Sequence, residues 1–358
     1  MKVLVGMSGG IDSSVTAMLL KNQGFDVIGA TLKIWEDGEY LDGEWHERSC
    51  CKIGLARFAA ENLKIPYHVW DAYKEFKQAV VDDFCSEYLK GRTPNPCIRC
   101  NEMVKFSLLL EKAVGIGAEY VATGHYARIV YNTEDKKYYL KKGLDNEKDQ
   151  SYFLYRLSQE MLSKIRFPLG ELTKKEVAVM AESLDLPVDE IRESQEVCFV
   201  TQEGYQEFIS NRIPESVNPG NFVSSSGKVL GKHKGIAFYT IGQRKGLGIA
   251  AGEPLYIIQI DTLRNEIVLG TGDDLSATGL IANNIHTISG ETFTQPKKLY
   301  AKIRYRSKPM PVLVTPVGGQ GIEVVFDNPQ RAVTPGQSIV FYDDDEVIGG
   351  GIIEESIK

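Results

Sequence analysis

Cysteine is scarce in this chain, with six in 358 residues. That is too few for a secreted disulfide scaffold, so any special thiol is expected to do catalytic, redox or metal work. No apolar run reaches membrane-spanning length, and the first residues enter a strand instead of a basic, cleavable leader. The expectation is a cytoplasmic protein with no membrane partner. Positive charge is not in excess either: 41 Lys and Arg against 48 Asp and Glu give −7. The balance speaks mildly against nucleic acid, although local placement decides. The first Gly-rich loop lacks the Lys-Ser/Thr ending of a Walker loop and the Gly-x-Gly-x-x-Gly of a dinucleotide fold. Neither an internal repeat nor a low-complexity linker is present. A hydrophobic content of 43% and a charged content of 25% are those of a globular protein with a sizeable core, and the length predicts two or three domains.

The strongest signal lies at the amino terminus. Val3-Leu4-Val5 reads as a buried strand, and the spacing of Val15, Met18 and Leu19 predicts a helix after Ser13. Between them Gly9 and Gly10 let the backbone turn sharply and approach a ligand, while Ser8, Ser13 and Ser14 supply hydroxyls. The free N–H groups and positive dipole end of the helix face the same point, where an anion would sit. Asp12 would repel a phosphate there unless a divalent cation lay between them, so Mg²⁺ is the economical expectation. The plainer reading is a tight turn with Asp12 as helix N-cap.

Asp26 to Ile34 reads as a second strand. Its carboxyl end is where nucleotide sites open in doubly wound sheets, which makes Leu32 a candidate base or ribose contact. A loop over Trp35 to Ser49 and a helix from Cys50 to Leu63, capped by Ser49, follow, with Cys50 and Cys51 as small fillers. Tyr67 to Asp71 is a third strand, and Cys85 is a core residue of the next helix. Ala118 to Thr123 is another strand; Gly124 at its end is assigned to the adenosine side, and His125 to a core or capping role.

Gly91 to Asn101 breaks this rhythm. Pro94 and Pro96 stiffen a loop that carries Cys97 and Cys100, and a helix is expected to open near Asn101. The dipole of that helix, with Arg99 and Lys105, would lower the Cys100 pKa toward the nucleophilic thiolate. A lone Cys-x-x-Cys also fits half a zinc site or a redox pair, but no second one exists to complete four thiolates. A hairpin is expected over Ala127 to Lys141. Lys148-Asp149-Gln150 could grip a polynucleotide, or Asp149 could cap a helix. Thr173 to Leu184 reads as a capped amphipathic helix, and Ser194 to Val200 as a strand-like run holding Cys198.

Beyond about Glu203 the pattern turns to short Gly-rich strands. The basic loop Tyr239 to Gly248 suits a nucleic-acid backbone. Later strands, among them Leu299 to Tyr305 and Ser338 to Tyr342, argue a small β-barrel or sandwich. From Lys297 to Lys308 six cations occur with no acid, which fits either a phosphate-contacting surface or a solvated, lysine-protected edge. The expected plan is an α/β domain with a doubly wound, mostly parallel sheet over 1–205, a small central domain over 206–278 and a C-terminal β-barrel over 279–358.

Ser8 to Ser13 resembles the PP-loop of the ATP pyrophosphatases (adenine nucleotide alpha hydrolase-like). Together with Gly-Arg-Thr-Pro-Asn-Pro at 91–96, Cys100-Asn101, Thr123 to Ala127, Lys148 to Ser151, Val197-Cys198-Phe199 and Thr240 to Arg244, the whole chain resembles the tRNA-specific 2-thiouridylases. The resemblance implies sulfur insertion at C2 of the wobble uridine of Lys, Glu and Gln tRNAs, after ATP adenylylates its O2. It assigns Cys100 as nucleophile and Cys198 as persulfide carrier. Gly6, Met7, Ser8, Gly9, Gly10, Ile11, Asp12, Ser13, Leu32 and Gly124 would bind ATP with Mg²⁺. Asn95, Pro96 and Cys97 would approach the target base, and His125, Lys148, Asp149, Gln150, Arg304, Tyr305 and Gln337 would touch tRNA. A persulfide donor, a cysteine desulfurase or relay protein, is implied as a partner.

One departure stands out: many members of that family carry Asp, with general-base work, where this chain has Cys97. The exchange creates three thiols, Cys97, Cys100 and Cys198, that could alternatively ligate a labile [4Fe–4S] cluster. The competing function is a PP-loop synthetase or amidotransferase acting on a small molecule, which would have no use for the basic run at 297–308.

Overall fold

The computed structural model describes residues 1–35, 52–184, 197–200, 204–318 and 321–358. Strands β1 (Lys2–Gly6), β2 (Asp26–Lys33), β3 (Tyr67–Asp71) and β4 (Tyr120–Ala122) belong to one parallel sheet; β5 (Ala127–Asn132) and β6 (Lys137–Lys142) form a hairpin; β7 (Ile165–Arg166) returns to the sheet, whose order is β3-β2-β1-β4-β7. Side chains alternate between faces along a strand. Val3 and Val5 therefore enter one buried cluster with Val15, Ala17 and Leu20, while Leu4 joins Ile28 and Leu32 in another. Both faces of the sheet are covered, as a parallel sheet requires.

The second cluster runs on without a break into Phe222, Ile257 and Ile267 of the central unit. That unit is a four-stranded sheet of β8 (Gly220–Ser224), β9 (Val229–His233), β10 (Tyr256–Asp261) and β11 (Glu266–Gly270), in the order β10-β11-β8-β9. The last strands are β12 (Ser276–Thr287), β13 (Lys297–Lys302), β14 (Met310–Val317), β15 (Gly321–Arg331), β16 (Ser338–Asp343) and β17 (Glu346–Ile357). β12 pairs with both β15 and β17, which closes a six-stranded barrel around Leu280, Val312, Val324, Phe341 and Ile353. The expected α/β sheet, small central unit and C-terminal barrel are all present.

The β5–β6 hairpin leaves the parallel sheet and joins the barrel through β17, where Glu346 pairs with Lys141. Arg128 Nη2 donates to Asp345 at 2.7 Å, and the Tyr152 hydroxyl donates to the Ser338 carbonyl at 2.8 Å. The hairpin and the segment after it are thereby fastened to the barrel in one wall.

Candidate active site

Strand order reverses between β1 and β4, and crevices for ligands open at the carboxyl ends of such strands. Here a cleft of about 1950 Å³ is lined by Gly6 to Ser8, Gly10 to Ser13, Leu32, Gly124, Cys97, Cys100, Cys198 and the barrel loop Arg304 to Lys308. The helix after β1 is Ile11–Asn22, so it opens before Ser13 and earlier than the apolar spacing suggests. Its N-cap is Gly10, with no side chain capping it, and Asp12 lies inside the first turn instead of capping it. Ser13 and Ser14 hydroxyls donate back to the Gly10 carbonyl at 3.0 and 3.1 Å, which leaves the first N–H groups of the helix to an incoming anion.

Two glycines shape this cradle. Gly9 has φ +78°, and a Cβ there would lie 2.2 Å from the Lys52 carbonyl oxygen. At Gly124 a Cβ would lie 2.8 Å from the Asp12 carbonyl carbon. The crowding partner of Gly124 is thus the cradle itself, where the sequence suggests only a ligand.

Asp12 already has company. Lys174 Nζ donates to both of its carboxylate oxygens at 2.8 and 2.9 Å, and the Tyr126 hydroxyl donates to Oδ1 at 2.8 Å. Lys174 is the first residue of the helix Lys174–Glu182, held by a Thr173–Glu176 capping box. Nothing in its local sequence marks it: only the fold brings it across 162 positions to the cradle. One carboxylate, the Ser8 and Ser13 hydroxyls and an open helix end line the same cleft and fit a Mg²⁺–triphosphate, since Mg²⁺ commonly takes one or two carboxylates and fills its shell with phosphate and water.

The loop bearing the thiols departs further from expectation. Its helix begins at Pro96, with the Asn95 side chain accepting from Ile98 N at 3.4 Å as the cap, and continues through a π-helical stretch, Cys100–Phe106, into Ser107–Gly115. Cys100 therefore sits inside a helical run and not at its N-terminus, and the predicted lowering of its pKa is not found. Burial pushes the Cys100 thiol up to about 12 and that of Cys97 to about 11, with Lys105 opposing only in part. Cys97 is exposed, yet only to a cleft enclosed by protein, which is how it can be both reachable and desolvated. The charge of Cys198 adds to the rise at both thiols, so the three sulfurs share one neighbourhood.

Cys198 itself occupies a turn in which Val200 N donates to the Val197 carbonyl at 3.1 Å, not the strand read from its apolar neighbours. It packs, like Cys100, against the cluster containing Leu4 and Phe199. Among the described residues no group of three or more His, Cys, Asp or Glu side chains is placed to hold a metal ion. The three thiols as arranged do not fit an iron–sulfur cluster. Cys50, Cys51, Ser49 and Ser194 to Glu196 lie outside the described residues.

The other sequence-selected residues divide by role. His125 is buried, with Nδ1 2.7 Å from the Thr123 hydroxyl and its ring between Phe106 and Phe167; burial holds its pKa well below the usual value. Asp149 is buried and accepts from Gly143 N, Ser151 N and the Ser151 hydroxyl at 3.0–3.1 Å, and Gln150 Oε1 accepts from Tyr126 N at 3.1 Å. Those groups build the floor. Arg304 and Tyr305 fall in the loop after β13, not on a strand, and Tyr305 packs on Phe153 at 4.5 Å. Gln337 Nε2 donates to the Thr93 and Pro94 carbonyls at 2.9 and 3.1 Å, tying the barrel to the cysteine loop. Lys148 is a lining residue. Nine Lys and Arg side chains line the cleft against three acids, Asp12, Glu147 and Asp149, so a chain of charge −7 turns a positive interior toward whatever enters. Of the basic run, Lys302, Arg304, Arg306 and Lys308 reach this wall, while Lys297 pairs with Asp343 outside it.

An α/β nucleotide-binding domain joined to a small sheet domain and a closed barrel, with three thiols lining the same cleft as the glycine-rich turn, defines the class. The family models agree in layout: "tRNA methyl transferase HUP domain" matches residues 1–202, "tRNA methyl transferase PRC-barrel domain" 206–271, and "Aminomethyltransferase beta-barrel domain" 277–353. The tRNA-specific 2-thiouridylase MnmA 1 of Caldanaerobacter subterraneus subsp. tengcongensis is 50% identical, covering 100% of this chain and 99% of that one. The tRNA-specific 2-thiouridylase MnmA of Carboxydothermus hydrogenoformans is 47% identical over 99% and 98%. The chain belongs to the tRNA-specific 2-thiouridylase family. Among solved structures, NMN synthetase from Francisella tularensis aligns at 18% identity with a TM-score of 0.32, over 61% of this chain and 78% of that one.

Proposed function

We propose that this protein is a cytoplasmic, ATP-dependent sulfurtransferase that converts the wobble uridine of Lys, Glu and Gln tRNAs to 2-thiouridine. The observation that carries the reading is one basic cleft in which the phosphate cradle, Cys100 and Cys198 all face the same space. Uridine C2 is a poor electrophile. Attack of O2 on the α-phosphorus of ATP expels pyrophosphate and leaves C2 bearing AMP, a good leaving group. The outer sulfur of a persulfide on Cys198 then attacks C2 and AMP departs. Cys100 as thiolate attacks the inner sulfur, which frees 2-thiouridine and leaves a Cys100–Cys198 disulfide for a thiol reductant to reopen.

The cradle from Gly6 to Ser13 holds the triphosphate, with Leu32 and Gly124 beside the nucleoside. Mg²⁺, when bound, would screen phosphate charge. Asp12 would be the residue to hold it, and Lys174, paired with Asp12, places a cation beside the cradle to neutralise phosphate charge. Asn95, Pro96 and Cys97 meet the target base, while Arg304, Tyr305, Gln337 and Lys148 contact the tRNA; His125, Asp149 and Gln150 act by holding that floor in shape. Sulfur arrives from a cysteine desulfurase or a relay protein.

The test is pyrophosphate release measured with and without tRNA bearing a wobble uridine, on anaerobically purified protein assayed for iron and sulfide. Release that depends on such tRNA, from iron-free protein, supports the reading. Release driven by a small molecule instead would favour a synthetase, and activity that tracks iron content would favour the cluster.

A further inference from the structure

A second cavity, of about 690 Å³, lies behind the wall of the cleft, between the central unit and the barrel. Arg304 and Gln337 line both spaces, so the two are separated by little more than these side chains. The wall is well fixed. Arg304 Nη2 donates to the Arg331 carbonyl at 3.1 Å, Gln337 holds the Thr93 and Pro94 carbonyls, and the Thr93 hydroxyl bonds that of Thr240 at 3.2 Å.

The charge of this cavity is one-sided. Arg244, Lys245, Arg304 and Arg331 line it, no Asp or Glu does, and among the described residues none of the four is ion-paired. The Arg331 guanidinium lies over the Tyr256 ring at 4.7 Å from its centroid, Arg244 lines the same cavity beside that phenol, and the two cations together hold the Tyr256 hydroxyl below its usual pKa. Like charges converging on one phenol repel each other, and they are best accommodated when an anion sits between them. Planar guanidinium forks match phosphate oxygens in pairs, and a phenol hydroxyl adds a further donor.

We propose that this cavity is a phosphodiester site, in which Arg244 and Arg331 hold one backbone phosphate of the nucleic-acid strand adjacent to the nucleotide whose base enters the main cleft. The site rests on the reading of the substrate as tRNA. It supplies register: a phosphate fixed behind Arg304 and Gln337 limits which nucleotide can reach the thiols.

The test is tRNA binding by the full chain against salt concentration, for wild type, Arg244→Gln, Arg331→Gln and the double variant. The double variant is expected to bind tRNA about 10- to 100-fold more weakly. The slope of log K against log salt should fall by about 0.7, the share of one single-strand phosphate. Each single variant should fall between, and Arg244→Lys should keep the wild-type slope. ATP affinity without tRNA should be unchanged throughout, which also reports that the variants fold. Wild-type affinity and slope in the double variant would overturn the site while leaving the thiolation reading standing. A wild-type protein that neither binds nor thiolates tRNA would remove both.

Discussion

Replacing Gly124 with alanine isolates the contact between the β4 end and the phosphate cradle. Gly124 is outside the left-handed region, so the added methyl introduces no backbone strain and acts by bulk alone. Its Cβ would sit 2.8 Å from the Asp12 carbonyl carbon and 3.0 Å from the Asp12 oxygen and Cβ. All three atoms are tied to the first turn of the helix Ile11–Asn22, so no flexible tip can give way. Overpacking of this kind costs about 1–3 kcal/mol. Taken wholly as lost stability, that lowers Tm by about 2–12 °C in a domain of this size. Relieved instead by displacing Asp12, it is withdrawn from nucleotide binding and raises the Kd for ATP by about 5- to 150-fold. Differential scanning calorimetry and ATP titration share the cost between them, and together they should account for it. Gly115→Ala is the control: nothing lies within 4 Å of its Cβ, and alanine at a helical site gains about 0.5–1 kcal/mol over glycine. Gly124→Ala with unchanged Tm and unchanged ATP affinity would refute the packing account of the cradle.

Two further outcomes follow from charge. Burial raises the Cys100 thiol to about 12, so its thiolate fraction grows with pH across the neutral range; single-turnover sulfur transfer should rise with pH to at least 9, and a plateau below pH 8 would contradict this. Lys174→Gln removes the cation paired with Asp12, leaving the carboxylate only its Tyr126 hydrogen bond, and should weaken ATP binding by about 10- to 100-fold, by the Coulomb cost of an uncompensated charge near a protein surface. With magnesium chelated, adding Asp12→Asn to it should restore part of the affinity for metal-free ATP, whereas strictly additive losses would show that the two side chains are not coupled.

Much of the fold is legible in the residues because alternation and caps are local signals. Val3-Leu4-Val5 and Tyr67 to Asp71 are strands as read, the strand expected over Asp26 to Ile34 ends one residue sooner at Lys33, the hairpin spans Ala127–Asn132 and Lys137–Lys142, and Thr173 caps its helix. The cysteine loop is misread for an instructive reason. Proline disfavours helix in the residue before it but suits the first helical position, so Pro96 opens a helix that Asn95 caps, about five residues earlier than expected. That shift of about five residues moves Cys100 off the dipole, and desolvation then sets its acidity. Cys198 reads as strand because Val197, Phe199 and Val200 are apolar, yet they are apolar for packing against the core in a turn. Lys174, the Asp149 floor and the second cavity are illegible: each is made by segments far apart in the chain, and only the folded topology brings them together.

The most direct measurement is a single turnover with ATP, a persulfide donor and a tRNA carrying a wobble uridine, with the nucleosides analysed by mass spectrometry. Wild-type protein should convert uridine to 2-thiouridine, while Cys198→Ser should still release pyrophosphate and form none. Formation of 2-thiouridine by the Cys198→Ser protein would contradict the account.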